Sequence, residues 1–323
     1  MYVNPYLGHP SQLCSVEEVR LTGGKGDGMR LLQLRTVAGL ELTLSLDRCA
    51  DLSRLIFKGD NMGFFSPTGY VAPAYHDDRG LGFLKSFTAG FLTTCGLSAV
   101  GSPCTDDGED LPLHGIIGNT PCEHVWWNED EDNVYVHATV SEGILFSKKL
   151  QLDRLITVSK TASCFTFRDT VTNVGDMTAP AMLLYHMNMG YPLLSERSEL
   201  TVSSVSVLPR NDHAAKDLDT WAQMLPPTPG FEEQCYYHQL GDEGKATIYN
   251  PDINKGLSIT FDPRNLDHFT QWKMMGYRDY VLGLEPGNCY PDGRDIVRQQ
   301  GKLKLLQPGQ SVTYEFTVTL FQK

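Results

Sequence analysis

The chain has 323 residues, 41% of them hydrophobic and 20% charged, which suits one large or two ordinary globular domains with ample core. Its net charge of −12 argues against nucleic acid or an anionic membrane as partner, since both call for a basic surface.

The first ten residues, M-Y-V-N-P-Y-L-G-H-P, have neither the basic start nor the apolar core of a signal peptide. No apolar run is long enough to cross a bilayer. Cys14, Cys49, Cys95, Cys104, Cys122, Cys164, Cys235 and Cys289 are scattered and form no C-x-x-C pair. Reduced thiols in a cytoplasmic protein are the simplest expectation.

Alternation with period two recurs along the chain. Leu40, Leu42, Leu44 and Leu46 alternate with Glu41, Thr43 and Ser45. The same pattern covers Val134, Val136, Ala138 and Val140, then Leu257, Ile259 and Phe261, then Val312, Tyr314, Phe316, Val318 and Leu320. These are strands with one covered face. Residues 165–171, 200–207 and 302–306 are weaker examples. No long segment has helical period, and glycine (30) and proline (18) punctuate the strands. The expectation is an all-β, largely antiparallel sandwich or barrel. No linker divides it, so residues 1–323 read as a single domain. The proline-rich residues 226–230 are short and flanked by Trp221, Leu225 and Phe231, which suggests a packed loop. The acidic run N-E-D-E-D-N at 128–133 reads as a solvated turn, since it lacks the glycine and bidentate glutamate of a calcium loop.

Four stretches carry candidate chemistry. In L-P-L-H-G-I-I-G-N-T-P, His114 lies in a loop where Gly115 and Gly118 allow close approach to a ligand; a hydrogen-bonded structural histidine is the competing reading. In A-M-L-L-Y-H-M-N-M-G-Y-P, His186 and Asn188 share one face at the end of an apolar strand, and a satisfied core histidine is again the rival. In F-T-Q-W-K-M-M-G, Gln271, Trp272 and Lys273 join an amide, an indole and a cation. An indole stacks on the C–H face of a sugar, and amides and cations bond its hydroxyls; an edge strand with a core tryptophan fits equally. In Y-V-L-G-L-E-P-G-N-C-Y-P-D-G-R-D, Glu285 closes an apolar strand, and Pro286 is expected to take the chain out of the sheet. A carboxylate at that mouth is partly desolvated, which raises its pKa towards that of a general base. A salt bridge to Arg278 or Arg294 is the alternative.

Two histidines and a raised-pKa carboxylate make an acid–base set that needs no metal. The spacing of His114, Cys122 and His124 fits no zinc pattern, so neither a metal nor a cofactor is expected. There is no G-x-S-x-G, and Cys95 reads as a small core residue.

The succession L-H-G-x-x-x-N-T-P, L-L-Y-H-x-N-x-G-Y-P-L-L, Q-W-K-M-M-G and G-L-E-P-x-N-x-x-x-x-G-R resembles the aldose 1-epimerase-like group, in its DUF4432 branch. D-R-C-A-D-L-S-R at 47–54 and F-L-T-T-C-G-L at 91–97 extend the resemblance nearly end to end. It implies a galactose-mutarotase-like β-supersandwich acting on a small-molecule sugar. His114 and His186 match that group's two histidines and Glu285 its base. Glu285 would then take the anomeric proton while His186 protonates the ring oxygen. The ring opens, the aldehyde rotates, and reclosure gives the other anomer. His114 would hydrogen-bond the ring or anomeric oxygen. The arginine and aspartate that hold hydroxyls in mutarotases have no motif match here, and Arg48, Asn188, Gln271 and Lys273 are the expected substrate-binding groups. A lysine in the pocket would favour an anionic sugar. A non-catalytic carbohydrate-binding protein is the alternative on the same scaffold.

Overall fold

The computed structural model describes residues 5–323; the first four residues of the N-terminal stretch discussed above lie outside them. Three antiparallel sheets dominate, as the alternating segments require. Five strands (Ser15–Arg20, Arg30–Arg35, Leu40–Ser45, Asp51–Phe57 and Asp60–Asn61) form one sheet in chain order. An eight-stranded sheet runs in the spatial order His124–Glu129, Asn133–Gly143, Lys149–Ser159, Cys164–Asn173, Ser311–Gln322, Lys255–Phe261, Gly244–Asn250 and Glu199–Val202. The third sheet positions the candidate site. Its order is Ser204–Pro209, Gln234–Leu240, His268–Met275, Tyr280–Gly287, Met182–Met189 and Leu92–Leu97.

The long strands of the eight-stranded sheet alternate strictly between buried and half-exposed residues, so one face is packed and the other wet. By contrast, Met182–Met189 and Tyr280–Gly287 are buried at every position. Among the described residues helix is confined to Asp212–Ala215 and Arg294–Gln299 plus short 3-10 turns. All eight cysteines are free. Among the described residues no helix is long and apolar enough to cross a membrane.

An ionic network lies among the apolar side chains of the core. Arg154 is fully buried, with its guanidinium on Asp169 (2.7 and 2.9 Å), Asp51 (2.7 Å), the Cys49 carbonyl (2.7 Å) and Thr94 Oγ1 (2.8 Å). Tyr185 donates to Asp169 Oδ2 (2.8 Å). One cation therefore ties all three sheets together directly behind the strand that carries His186.

Several sequence expectations change here. Residues 200–207 are not one strand: the chain leaves the eight-stranded sheet after Val202 and enters the six-stranded one at Ser204. Only Leu305–Leu306 of 302–306 is strand. Pro286 does not end its strand, which runs on to Gly287. Pairing with Met182–Met189 lapses between the Met187–Leu284 and Leu184–Gly287 pairs, so the imide nitrogen falls where the ladder has a gap. The loop at 226–230 is tethered through Thr228 N to the Met275 carbonyl (2.8 Å), but all five of its residues are exposed, so it is not the packed loop that its flanking residues suggested.

Candidate active site

A cavity of about 430 Å3 opens on the six-stranded sheet. Its floor is Cys235, Thr270, Trp272, Glu285 and His186, from four adjacent strands. One wall is apolar, built by Leu81, Phe83, Leu84, Phe87 and Leu113; Gly101, Ser102, Pro103, Arg210 and Pro291 form another side.

His114, His186 and Glu285 all line this space. On the register of the two central strands, His186 stands opposite Glu285, and His186 Nδ1 lies 3.3 Å from Glu285 Oε1. The rings of His114 and His186 meet edge-on at 5.4 Å. His114 reaches the cavity from a turn with φ +61°, a left-handed conformation uncommon for a side-chain-bearing residue. Three backbone bonds hold that turn: Gly96 N to the His114 carbonyl (3.1 Å), His114 N to the Gly101 carbonyl (2.8 Å) and Leu113 N to the Gly80 carbonyl (3.0 Å). The following residue must be glycine, because a β-carbon at 115 would lie 2.5 Å from the Gly96 carbonyl oxygen.

Aromatic rings shield the set. Phe83 packs on His114, and Phe87 and Trp272 pack on His186, each with centroids 5.2 Å apart. Burial therefore sets the protonation states. It pushes the Glu285 carboxyl well above the usual carboxylate range; the Glu233 charge adds to the rise and Arg210 opposes it. Burial lowers His186 to about 4 and carries His114 well below 6.5, helped there by His186 and Arg210. His114 Nδ1, His186 Nδ1, Thr270 Oγ1 and Glu285 Oε1 are buried without a hydrogen-bond partner within the protein, as polar atoms awaiting a ligand would be.

The four expected substrate-binding residues are elsewhere. Alternation along His268–Met275 turns Thr270 and Trp272 into the cavity, so Gln271 and Lys273 face away. Gln271 bonds the Trp221 carbonyl (2.9 Å) and His238 (3.2 Å), and Lys273 bonds the Thr220 carbonyl (3.3 Å). The Q-W-K triplet therefore cannot act on one face, and the lysine that would favour an anionic sugar is outside the pocket. Asn188 shares the face of His186 but is fully buried beside the cavity, its amide donating to the His186 carbonyl (2.9 Å). Arg48 lies behind the apolar wall and bonds the Ser86 carbonyl (2.6 Å). The salt bridge from Glu285 to Arg294 is not made either: Arg294 belongs to Asp106 and Glu109.

Two lining residues escaped sequence reading. Glu233 accepts a hydrogen bond from Trp272 Nε1 (2.7 Å). Arg210 donates to Ser102 Oγ (3.0 Å) and lies 3.6 Å from Asp292. Neither sits in a distinctive motif; each flanks the end of a strand whose length the pattern left undefined. Among the described residues no group of three or more His, Cys, Asp or Glu is arranged to hold a metal ion.

This architecture is that of the galactose-mutarotase-like proteins. Similar solved structures include a candidate aldose 1-epimerase from Klebsiella pneumoniae, 32% identical, matched over 96% of this chain and 84% of its own with a TM-score of 0.91. A galactose 1-epimerase from Lactobacillus acidophilus matches at 13% identity over 95% of this chain and 99% of its own, with a TM-score of 0.63. A candidate aldose 1-epimerase from Escherichia coli K12 matches at 15% identity over 92% and 100%, with a TM-score of 0.61. No curated protein sequence matches the chain. The family described as "Domain of unknown function (DUF4432)" matches residues 26–320, and the chain belongs to that family.

Proposed function

We propose that the protein is a sugar mutarotase-like isomerase that interconverts the anomers of an aldose by general acid–base catalysis on His114, His186 and Glu285. The observation that carries this reading is the 3.3 Å approach of His186 Nδ1 to Glu285 Oε1 inside a cavity walled by aromatic rings. A cavity of about 430 Å3 accommodates a monosaccharide with room to rotate its opened aldehyde. The Trp272 indole offers a surface to sugar C–H groups; Thr270, Glu233 and Arg210 offer hydroxyl partners.

Burial raises the carboxyl and lowers the imidazole, so the one proton of the resting pair lies on Glu285. In the tautomer with the proton on His186, Glu285 is a carboxylate ready to take the anomeric proton and His186 is an acid for the ring oxygen. Sugar hydroxyls entering the cavity favour that separated-charge form by solvating both ends. Ring opening, rotation of the aldehyde and reclosure return the proton to its starting place, so the pair turns over without external reagents. His114, a neutral imidazole, hydrogen-bonds the ring or anomeric oxygen.

The test is anomer exchange by NMR, read above the spontaneous rate across neutral and anionic sugars. Glu285→Gln keeps the shape but not the basicity and should lower the enzymatic exchange rate about a hundredfold or more. His186→Ala should lose activity as well. Wild-type protein that binds a sugar tightly and never accelerates its exchange would instead identify a carbohydrate-binding protein.

A further inference from the structure

Arg48 has an unusual position for a cation. It is 4% exposed, and one nitrogen makes all its recorded hydrogen bonds: Nη1 donates to the backbone carbonyls of Ser86 (2.6 Å) and Val71 (3.2 Å), with Thr88 Oγ1 at 3.5 Å, while Nη2 is buried without a partner. Desolvation lowers its pKa to about 10. A buried cation without a tight ion pair is costly, and it persists where it fixes something. The chain it grips, residues 71–88, carries the apolar wall. Phe87 follows Ser86 directly and packs on His186; Phe83 packs on His114 and on Phe87, the last with centroids 4.8 Å apart. His76 reinforces the same point through Nδ1 to Ser86 Oγ (3.1 Å).

We propose that Arg48 is a positioning residue that pins the Phe83–Phe87 wall against the two histidines, and through that wall keeps them dry. This rests on the acid–base reading of the site, but its primary readout does not. His186 touches Phe87, Trp272, His114 and Glu285, so the ring of Phe87 is the removable part of its shield. Lysine at 48 keeps the charge, but its ammonium is a compact, strongly hydrated head on a differently shaped stem and does not reproduce the Nη1 contacts to Ser86 and Val71.

The experiment follows the ring resonances of the full chain by NMR through a pH titration. In wild type His186 should titrate near 4; in Arg48→Lys and in Phe87→Ala its midpoint should move up towards the ordinary 6.5. The double variant should move it no further than Phe87→Ala alone. Exchange kinetics of Arg48→Lys on an accepted sugar should show a raised KM together with a lowered kcat. An Arg48→Lys protein that folds with His186 still near 4 overturns the proposal. So does a Phe87→Ala protein with an unmoved midpoint. If neither Arg48→Lys nor Arg48→Gln folds, Arg48 serves the fold alone and the proposal fails. Absence of mutarotase activity in wild type would remove the functional reading and leave the titration result intact.

Discussion

Gly283 lies directly beneath the carboxyl of Glu285: a β-carbon at 283 would stand 2.3 Å from Glu285 Oε1 and 2.9 Å from the Trp272 β-carbon. Residues 283 and 285 share a face of the strand, so the missing side chain is what lets the carboxyl fold back towards His186. Gly283→Ala should push that carboxyl out of its place. The expected outcome is a folded protein whose exchange rate falls roughly tenfold to a hundredfold, the size of a misplaced general base. Circular dichroism and exchange kinetics on the same sample check it. An unchanged rate would mean that Glu285 is not held where catalysis needs it.

Arg154 gives a prediction about stability. It neutralises Asp169 and Asp51, both essentially unexposed, and bridges three sheets. Arg154→Met leaves those carboxylates buried without their cation. Breaking a buried pair in this way costs about 3–5 kcal/mol. Urea unfolding should record a loss of that order, with the slope unchanged. A loss below about 1 kcal/mol would show that the carboxylates find other partners or take up protons at no cost.

Much of this molecule was legible in its sequence because period-two alternation is a direct imprint of a half-covered sheet. It located the long strands around Val134–Val140, Leu257–Phe261 and Val312–Leu320. His114, His186 and Glu285 could be singled out since each breaks an apolar or glycine-rich context. The binding residues were less accessible. Gln271 and Lys273 flank Trp272, and proximity along a strand is the wrong measure when successive side chains point to opposite faces. Arg48 looked available to a ligand, yet its partners are carbonyls 23 and 38 residues away. Glu233 and Arg210 enter the cavity from strand ends, where alternation carries no information. The sheet change at Ser203 is equally invisible, because Leu200 and Val202 continue the alternation up to it.

The site should lower the stability of its own fold. Glu285 has a folded-state pKa raised well above 4.5, chiefly by burial. The sign follows directly: the contribution is fully favourable below the unfolded value and is lost as pH rises towards and through the folded one. At neutral pH the wild-type chain therefore bears a penalty that glutamine, which does not ionise, escapes. Glu285→Gln should melt at a higher temperature than wild type, with a gap that widens from about pH 4.5 upward. Calorimetry at several pH values measures this. A gap independent of pH would show that the carboxyl is not desolvated in the folded state.

The same titrations fix the shape of the activity profile. On the proposed mechanism, the competent form of the site holds one proton on the His186–Glu285 pair. On the acid side a second proton enters, placing both groups in their protonated forms and abolishing the base. His186 is lowered to about 4, so activity should fall as pH drops towards that value and not near the 6.5 of an ordinary histidine. On the alkaline side the shared proton is lost and the acid disappears; because Glu285 is raised by burial and by the Glu233 charge, that limb lies well above 4.5. His114 stays neutral between the two, since burial holds it well below 6.5. Glu233→Gln removes one of the charges that lift Glu285, so it should move the alkaline limb to lower pH while leaving the acid limb in place. The measurement is the NMR exchange rate from pH 4 to 10, with the spontaneous acid- and base-catalysed rate subtracted at every point. A profile that turns down on its acid side near 6.5, or an alkaline limb indifferent to Glu233→Gln, would refute the shared-proton pair.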